Sequence, residues 1–192
     1  DLGGGGVCRW MERELGAADR ESAEKNGTSS FYELDRAAET VPPGSEGVIF
    51  LPYMAGERSP IWDPDAKGVY YGLDFSKTRA HLLRSGLEGV AYSLRHNLDI
   101  AEECGAFVGT LSAMGGAANS RLWTQIKADV TGKRILVPSS DTATTLGAAI
   151  LAGVGTGIYR DFDEAVSRTV KITREHLPDP ERAAAYEQGY RT

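Results

Sequence analysis

The stretch Leu111-Ser112-Ala113-Met114-Gly115-Gly116-Ala117-Ala118-Asn119-Ser120, followed by Arg121-Leu122-Trp123, decides the fold. It reads as a strand over 107–113 that runs into paired glycines, then a helix over 120–131. Glycines at such a junction let the backbone approach a flat or anionic ligand closely, because no Cβ stands in the way. A helix opening at Asn119 or Ser120 offers free N–H groups and the positive end of a dipole. Asn119 and Ser120 can cap that helix or hydrogen-bond the base or ribose of a ligand. The same letters also serve as a plain strand-to-helix turn with nothing bound, and the pattern leaves both open. No Gly-Lys-Ser/Thr follows, so this is not a P-loop, and the spacing of a dinucleotide fingerprint is absent.

Outward from the turn, strands and helices alternate. Towards the C-terminus come a strand over 134–138, a small-residue helix over 142–154, a helix over 162–170 and a last helix from Asp179. On the 142–154 helix, Thr144, Ala148 and Ala152 share one face beside Gly147. Such a face serves either tight packing inside one domain or a hinging contact between two. Towards the N-terminus, Leu83, Leu87, Val90, Ala91, Leu94, Leu98 and Ala101 stripe a long amphipathic helix over 78–103, with Gly105 just past its end. Strands are predicted over 48–53 and 68–73, joined by a loop in which Arg58 is expected to bridge carbonyls or a carboxylate. The first forty residues read as polar helix. Val7, Trp10, Met11 and Leu15 precede a stop at Gly16, and a capping box at Ser30 and Glu33 opens a helix burying Phe31, Leu34 and Ala38. Val41-Pro42-Pro43-Gly44 then makes a turn. The alternation indicates an α/β domain with a mixed sheet flanked by helices.

Composition narrows the function classes. With 192 residues, 41% of them apolar and 25% charged, the chain has the size of one large domain or two small ones and can bury a core. A net charge of −6 argues against nucleic acid or an anionic membrane as partner. Cys8 and Cys104 lie far apart and read as free thiols of a reducing, cytoplasmic compartment. His81, His96 and His176 lack ligand-spaced partners, so no metal-binding residue is assigned. The chain opens at Asp1 without an initiator Met and is taken as a fragment of something longer.

Four of these segments, in order, resemble the C-terminal, nucleotide-binding domain of FGGY carbohydrate kinases. These kinases belong to the actin/hexokinase-like, or ribonuclease H-like, superfamily. Gly68-Val69-Tyr70-Tyr71-Gly72-Leu73 with His81-Leu82 and Ser85-Gly86-Leu87-Glu88 is similar to the family's second signature, although a slightly larger small residue is usual at Gly86. Met114-Gly115-Gly116-Ala117 resembles the adenosine motif, and Leu146-Gly147-Ala148-Ala149 the second connecting helix. Leu51-Pro52-Tyr53 with Gly56-Glu57-Arg58-Ser59-Pro60 is typical of xylulokinase-like and gluconokinase-like members.

The resemblance spans nearly the whole chain, from Gly3 to Tyr186, with residues 1–192 taken as one domain, and implies ATP, with Mg²⁺, as phosphoryl donor to a sugar or polyol, most like D-xylulose. Adenosine would lie against Gly115, Gly116 and Ala117, with Asn119 and Ser120 at its edge. The general-base aspartate, the sugar pocket and the phosphate hairpins would precede Asp1, so no catalytic residue is assigned here. The isolated chain is expected to be inactive, and room is left for a homodimer. A gluconokinase, a glycerol kinase or another FGGY kinase remains an alternative, and so does a non-catalytic nucleotide-binding scaffold of the same superfamily.

Overall fold

The computed structural model describes residues 4–139 and 143–192. Its elements are α1 (Gly4–Leu15), α2 (Ala17–Asn26), α3 (Ser30–Glu39), β1 (Ile49–Leu51), β2 (Val69–Tyr71), α4 (Arg79–Glu103), β3 (Thr110–Ser112), α5 (Arg121–Thr131), β4 (Arg134–Pro138), α6 (Ala143–Gly155), α7 (Phe162–Thr169), β5 (Ile172–His176) and α8 (Pro180–Arg191). The expected mixed sheet is formed by β3, β4 and β5. β3 pairs with β4 in parallel and β5 pairs with β4 antiparallel. β1 and β2 make a separate antiparallel pair, with Phe50 opposite Tyr70.

The 25 residues of α4 span about 38 Å and form the spine. Leu83, Leu87, Val90 and Ala91 are buried along it, and α1, α3, α5 and β1 pack around them. Helix entry is fixed by a box that sequence reading missed. The Thr78 amide donates to Nδ1 of His81 at 3.1 Å, which does the work usually given to Glu or Gln. Two glycines let neighbours reach the helix backbone. A Cβ on Gly89 would lie 2.1 Å from the carbonyl oxygen of Phe50, so β1 can pack here only against glycine. A Cβ on Gly86 would meet Met11 Sδ at 2.4 Å. Met11 thus fills the space that a slightly larger residue would take.

Several expected boundaries shift for physical reasons. Gly16 does end α1, because a Cβ there would sit 2.3 Å from the Glu12 carbonyl oxygen, but the chain enters α2 at once. α2 has almost no apolar face, and Asp19 ties it to α4 by accepting two bonds from Arg79 at 2.5 and 3.1 Å. The α3 cap is Ser29, not Ser30. Ser29 Oγ accepts from the Tyr32 amide at 3.1 Å, and Glu33 turns to the Thr28 hydroxyl at 2.6 Å. Phe31, expected in the core, is 45% exposed, while Leu34 and Ala38 are buried as expected. β3 is shorter than the predicted 107–113, and Phe107 lies fully outside the packed region. β5 had not been predicted. Thr142, predicted to open α6, lies outside the described residues.

The two helical glycines separate a rigid contact from a soft one. Gly89→Ala should lower stability by about 1–3 kcal/mol in urea unfolding, since the added methyl meets backbone. Gly86→Ala should fall within about 1 kcal/mol of the parent, because Met11 can re-rotamer and alanine gains helix propensity. Equal losses at the two positions would contradict this account.

Candidate functional site

The glycine turn is built as a rigid, open shelf. Gly115 has φ +79°, a conformation that side chains rarely adopt, and its carbonyl accepts from the Ala118 amide at 2.9 Å. Gly116–Asn119 then form one 3-10 turn. Ala118 is buried and pins the turn, and its carbonyl accepts a short hydrogen bond from the Arg174 guanidinium of β5. Around Gly116 a Cβ would meet nothing within 4 Å. The missing side chain at 116 therefore leaves open space and no packing gap.

Ser120 and Asn119, interchangeable on sequence, divide the two roles. Ser120 Oγ accepts from the Trp123 amide at 2.9 Å and is the N-cap of α5. The exposed Asn119 amide has no hydrogen-bond partner among the described residues and is free for a ligand.

The shelf borders a cavity of about 720 Å³, closed by α1 and α3. Gly116, Ala117, Asn119 and Ser120 line it from one side, Gly5, Cys8 and Arg9 from another, and Phe31, Tyr32 and Asp35 from a third. Trp123 forms the floor, and its indole N–H donates to the Leu87 carbonyl of α4 at 2.9 Å. Gly115 does not line this cavity. It borders a hollow of about 140 Å³ on the other side of the turn, so its part is conformational. Phe31 is exposed because its face of α3 is a cavity wall. The spacing of Phe31 and Asp35, one helical turn apart, is the signal that could have placed them there.

The site is electrostatically unusual. Burial pushes the Asp35 carboxyl up to about 6, against a lowering hydrogen bond from Ser120 and reinforced by Glu39. Desolvation brings Lys127 down to about 8, with Cys8 opposing, and its Nζ sits 3.7 Å over the Trp123 ring. Burial also raises the Cys8 thiol to about 12, which leaves it protonated and unreactive. A half-buried carboxyl held against its preference beside an open cavity is a common mark of a binding group.

Two other sequence candidates lie apart from the cavity. In the 56–60 loop the carboxylate, not the arginine, is structural. Glu57 is buried and accepts from the amides of Arg58 at 2.7 Å and Ser59 at 3.1 Å. The expected bridging by Arg58 is not seen, since its exposed guanidinium has no partner among the described residues. On α6, Thr144, Ala148 and Ala152 are exposed, a Cβ on Gly147 would meet nothing, and the helix packs through Ile150 and Gly153 instead.

The sign of the Asp35 effect is testable. Its folded pKa lies above the ordinary 3.8, so folding is favoured while it is protonated and weakened as pH rises through about 6. Asp35→Asn should therefore match the parent near pH 4 and exceed its stability by about 1–2 kcal/mol at pH 8, allowing for partial exposure. Urea midpoints at the two pH values check this, and a pH-independent difference would rule out the buried-carboxylate explanation.

Known proteins place this architecture. The sequence pattern of the FGGY family of carbohydrate kinases, C-terminal domain, matches residues 3–156. A gluconokinase of Bacillus licheniformis is 39% identical over 184 residues, covering 95% of this chain and 36% of the relative. A xylulose kinase of Escherichia coli is 35% identical over 167 residues, covering 86% of this chain and 34% of its own length. The crystal structure of a xylulose kinase from Rhodospirillum rubrum superposes with a TM-score of 0.82 at 32% identity, over 97% of this chain and 36% of that one. The chain thus spans about a third of the length of the proteins it matches, and it belongs to the FGGY family of carbohydrate kinases, as their C-terminal domain.

Proposed function

We propose that this chain is the nucleotide-binding half of an ATP-dependent sugar kinase that transfers the γ-phosphoryl group to a sugar hydroxyl. The observation that carries the reading is the open cavity against the 116–120 turn, in a domain of this family. The volume is of the order that small-molecule sites have, and the donor set suits a nucleoside. Gly116 and Ala117 offer close backbone approach to adenosine, Phe31 and Tyr32 offer aromatic faces, and the Asn119 amide can bond base or ribose. Gly115 fixes the shape of the turn and Ser120 keeps α5 capped.

The phosphates, with Mg²⁺, would extend towards the remainder of the protein, where the general base and sugar pocket are proposed to lie. No residue of this chain is assigned to activate the sugar hydroxyl. Two acceptors are supported. D-Xylulose follows from the resemblance and from the xylulose kinases among the relatives. D-Gluconate is favoured by the 39% identity to a gluconokinase, higher than the 35% to a xylulose kinase. Phosphorylation of both acceptors by the complete protein decides between them.

Gly116→Val tests the nucleotide site without disturbing the fold, because the new side chain enters empty space. Titration of the chain with ADP should shift the amides of Gly115, Gly116, Asn119 and Ser120, with affinity near about 1 mM in the absence of phosphate contacts. In Gly116→Val these shifts should vanish while the melting temperature holds. Shifts clustered elsewhere in the parent would remove the assignment.

The exposed small-residue face of α6 supports an interdomain contact in the complete protein. Ala148→Leu should leave the melting temperature of the chain nearly unchanged, since the face is exposed among the described residues. The complete enzyme should lose turnover, because closing two helices over the added bulk costs about 1–3 kcal/mol. A destabilised chain would make the face ordinary core.

A further inference from the structure

The N-terminus of α5 has a second cavity on its other flank. Ser120 and Trp123 face the nucleotide cavity, whereas Arg121, Leu122 and Gln125 line a separate groove of about 610 Å³. Arg84, Arg121 and Arg182 line that groove, together with His176, Glu39 and Asp129.

Hydrogen-bond accounting shows which of these groups are already spent. The buried Asp129 accepts from Gln125 at 2.7 Å, from the Asp179 amide at 2.8 Å and from Arg182 Nε at 2.7 Å. His176 Nε2 accepts from Arg174 Nε at 2.9 Å, so the ring proton is on Nδ1 and is donated to Gln125 Oε1 at 2.9 Å. That histidine is neutral. Burial, then the charges of Arg174 and Arg121, hold its pKa below the usual value against the pull of Asp129. Arg84 spends Nε on Glu88 and Nη2 on the Tyr186 hydroxyl, at 2.8 and 2.7 Å. Its Nη1 has no partner among the described residues. Arg182 spends Nε on Asp129 and Nη1 on Asp179, leaving Nη2.

Arg121 has no side-chain partner among the described residues. Its charge also bears on Arg174, whose pKa is lowered by burial first and by Arg121 second. Neither Arg121 nor Arg174 has an ion-pair partner among the described residues, so their positive potential is left uncompensated. Glu39, at the groove wall, has no hydrogen-bond partner among the described residues either, and as a carboxylate it accepts only from donors such as hydroxyls.

We propose that this groove binds a small hydroxylated oxyanion, of the sugar-phosphate class, with Arg121 as the principal ligand, the spare N–H groups of Arg84 and Arg182 beside it, and Glu39 accepting from ligand hydroxyls. Guanidinium forks match the oxygens of phosphate or carboxylate; Glu88 pairs with Arg84, and Asp129 and Asp179 pair with Arg182, so Arg121 is the groove guanidinium without an ion pair among the described residues. The site is distinct from the nucleotide cavity but linked to it. Arg174, which Arg121 repels, holds the Ala118 carbonyl of the nucleotide turn. The proposal does not depend on the kinase reading or on the acceptor.

Thermal shift and calorimetric titration of the complete protein with D-ribose 5-phosphate, inorganic phosphate and D-ribose, with and without saturating ADP, test it. Saturable binding of D-ribose 5-phosphate that survives ADP is expected, with inorganic phosphate weaker and D-ribose without effect. Arg121→Ala should weaken binding about tenfold while the unliganded melting temperature holds, since this side chain supports nothing in the fold. Arg121→Lys should keep part of the affinity as a point charge. Inorganic phosphate binding as tightly as the sugar phosphate would reassign the site to free phosphate and remove the part given to Glu39. Unchanged binding in Arg121→Ala, displacement by ADP, or no saturable response would overturn the proposal.

Discussion

A single buried carboxylate ties together parts of the chain that are far apart in sequence. Glu88, 1% exposed at the middle of α4, accepts from the Gly44 amide at 3.0 Å, the Ser45 hydroxyl at 2.7 Å and Arg84 Nε at 2.8 Å. Arg84 passes the connection to the Tyr186 hydroxyl of α8. The loop before β1, the spine helix and the last helix are thus fixed by one ionic cluster. Burial raises the Glu88 pKa, with Arg84 and Ser45 opposing, so the partners must stay in place. Removing one partner of such a buried pair typically costs about 3–5 kcal/mol, far more than the pair itself contributes. The cluster also ties down Ser45, which with its neighbour Glu46 has φ +48° and +49°, a backbone state that L side chains rarely adopt.

The functional surface depends on this core through a short path. α5 lies against α4 along Trp123, Ile126 and Val130, and the Trp123 indole bonds the α4 backbone at Leu87. The floor of the cavity beside the 116–120 turn is therefore core. Its walls come from α1 and α3, which the same core residues, Val7, Met11 and Leu34, hold against the spine. Arg9, Asp35, Asn119 and Ser120 are among the polar residues that line the cavity. A shelf of fixed backbone over a packed floor needs little reorganisation when a ligand arrives, which limits the entropic cost of binding.

The two flanks of the α5 N-terminus differ in chemistry because they face different partners. On the Ser120 side, the Phe31, Tyr32 and Leu34 residues of α3 stand beside Asp35, whose carboxyl is poorly solvated. On the other side, β5 brings Arg174 and His176 next to Arg121, and α8 brings Arg182. β5 also supplies the guanidinium that holds Ala118 from behind, so the strand absent from the predicted elements supports the site most directly.

The sequence by itself determined the strand–turn–helix order over β3 and α5, the long spine helix and the mixed character of the sheet. Each rests on local physics: helical periodicity, paired glycines before a cap, small residues on one face. Tertiary structure decided the rest. β5 carries Ile172-Thr173-Arg174-Glu175-His176, whose edge position leaves too few buried apolar residues for a period-two signal. Phe31 fits a core stripe by spacing, and only the cavity between α1, α3 and the turn exposes it. Whether Asn119 or Ser120 caps α5 is set by backbone direction, and that choice leaves one side chain free for a ligand. The Arg121 groove joins residues 39, 84, 121, 176 and 182, whose proximity no local pattern encodes, because charge convergence arises from the packing of distant elements.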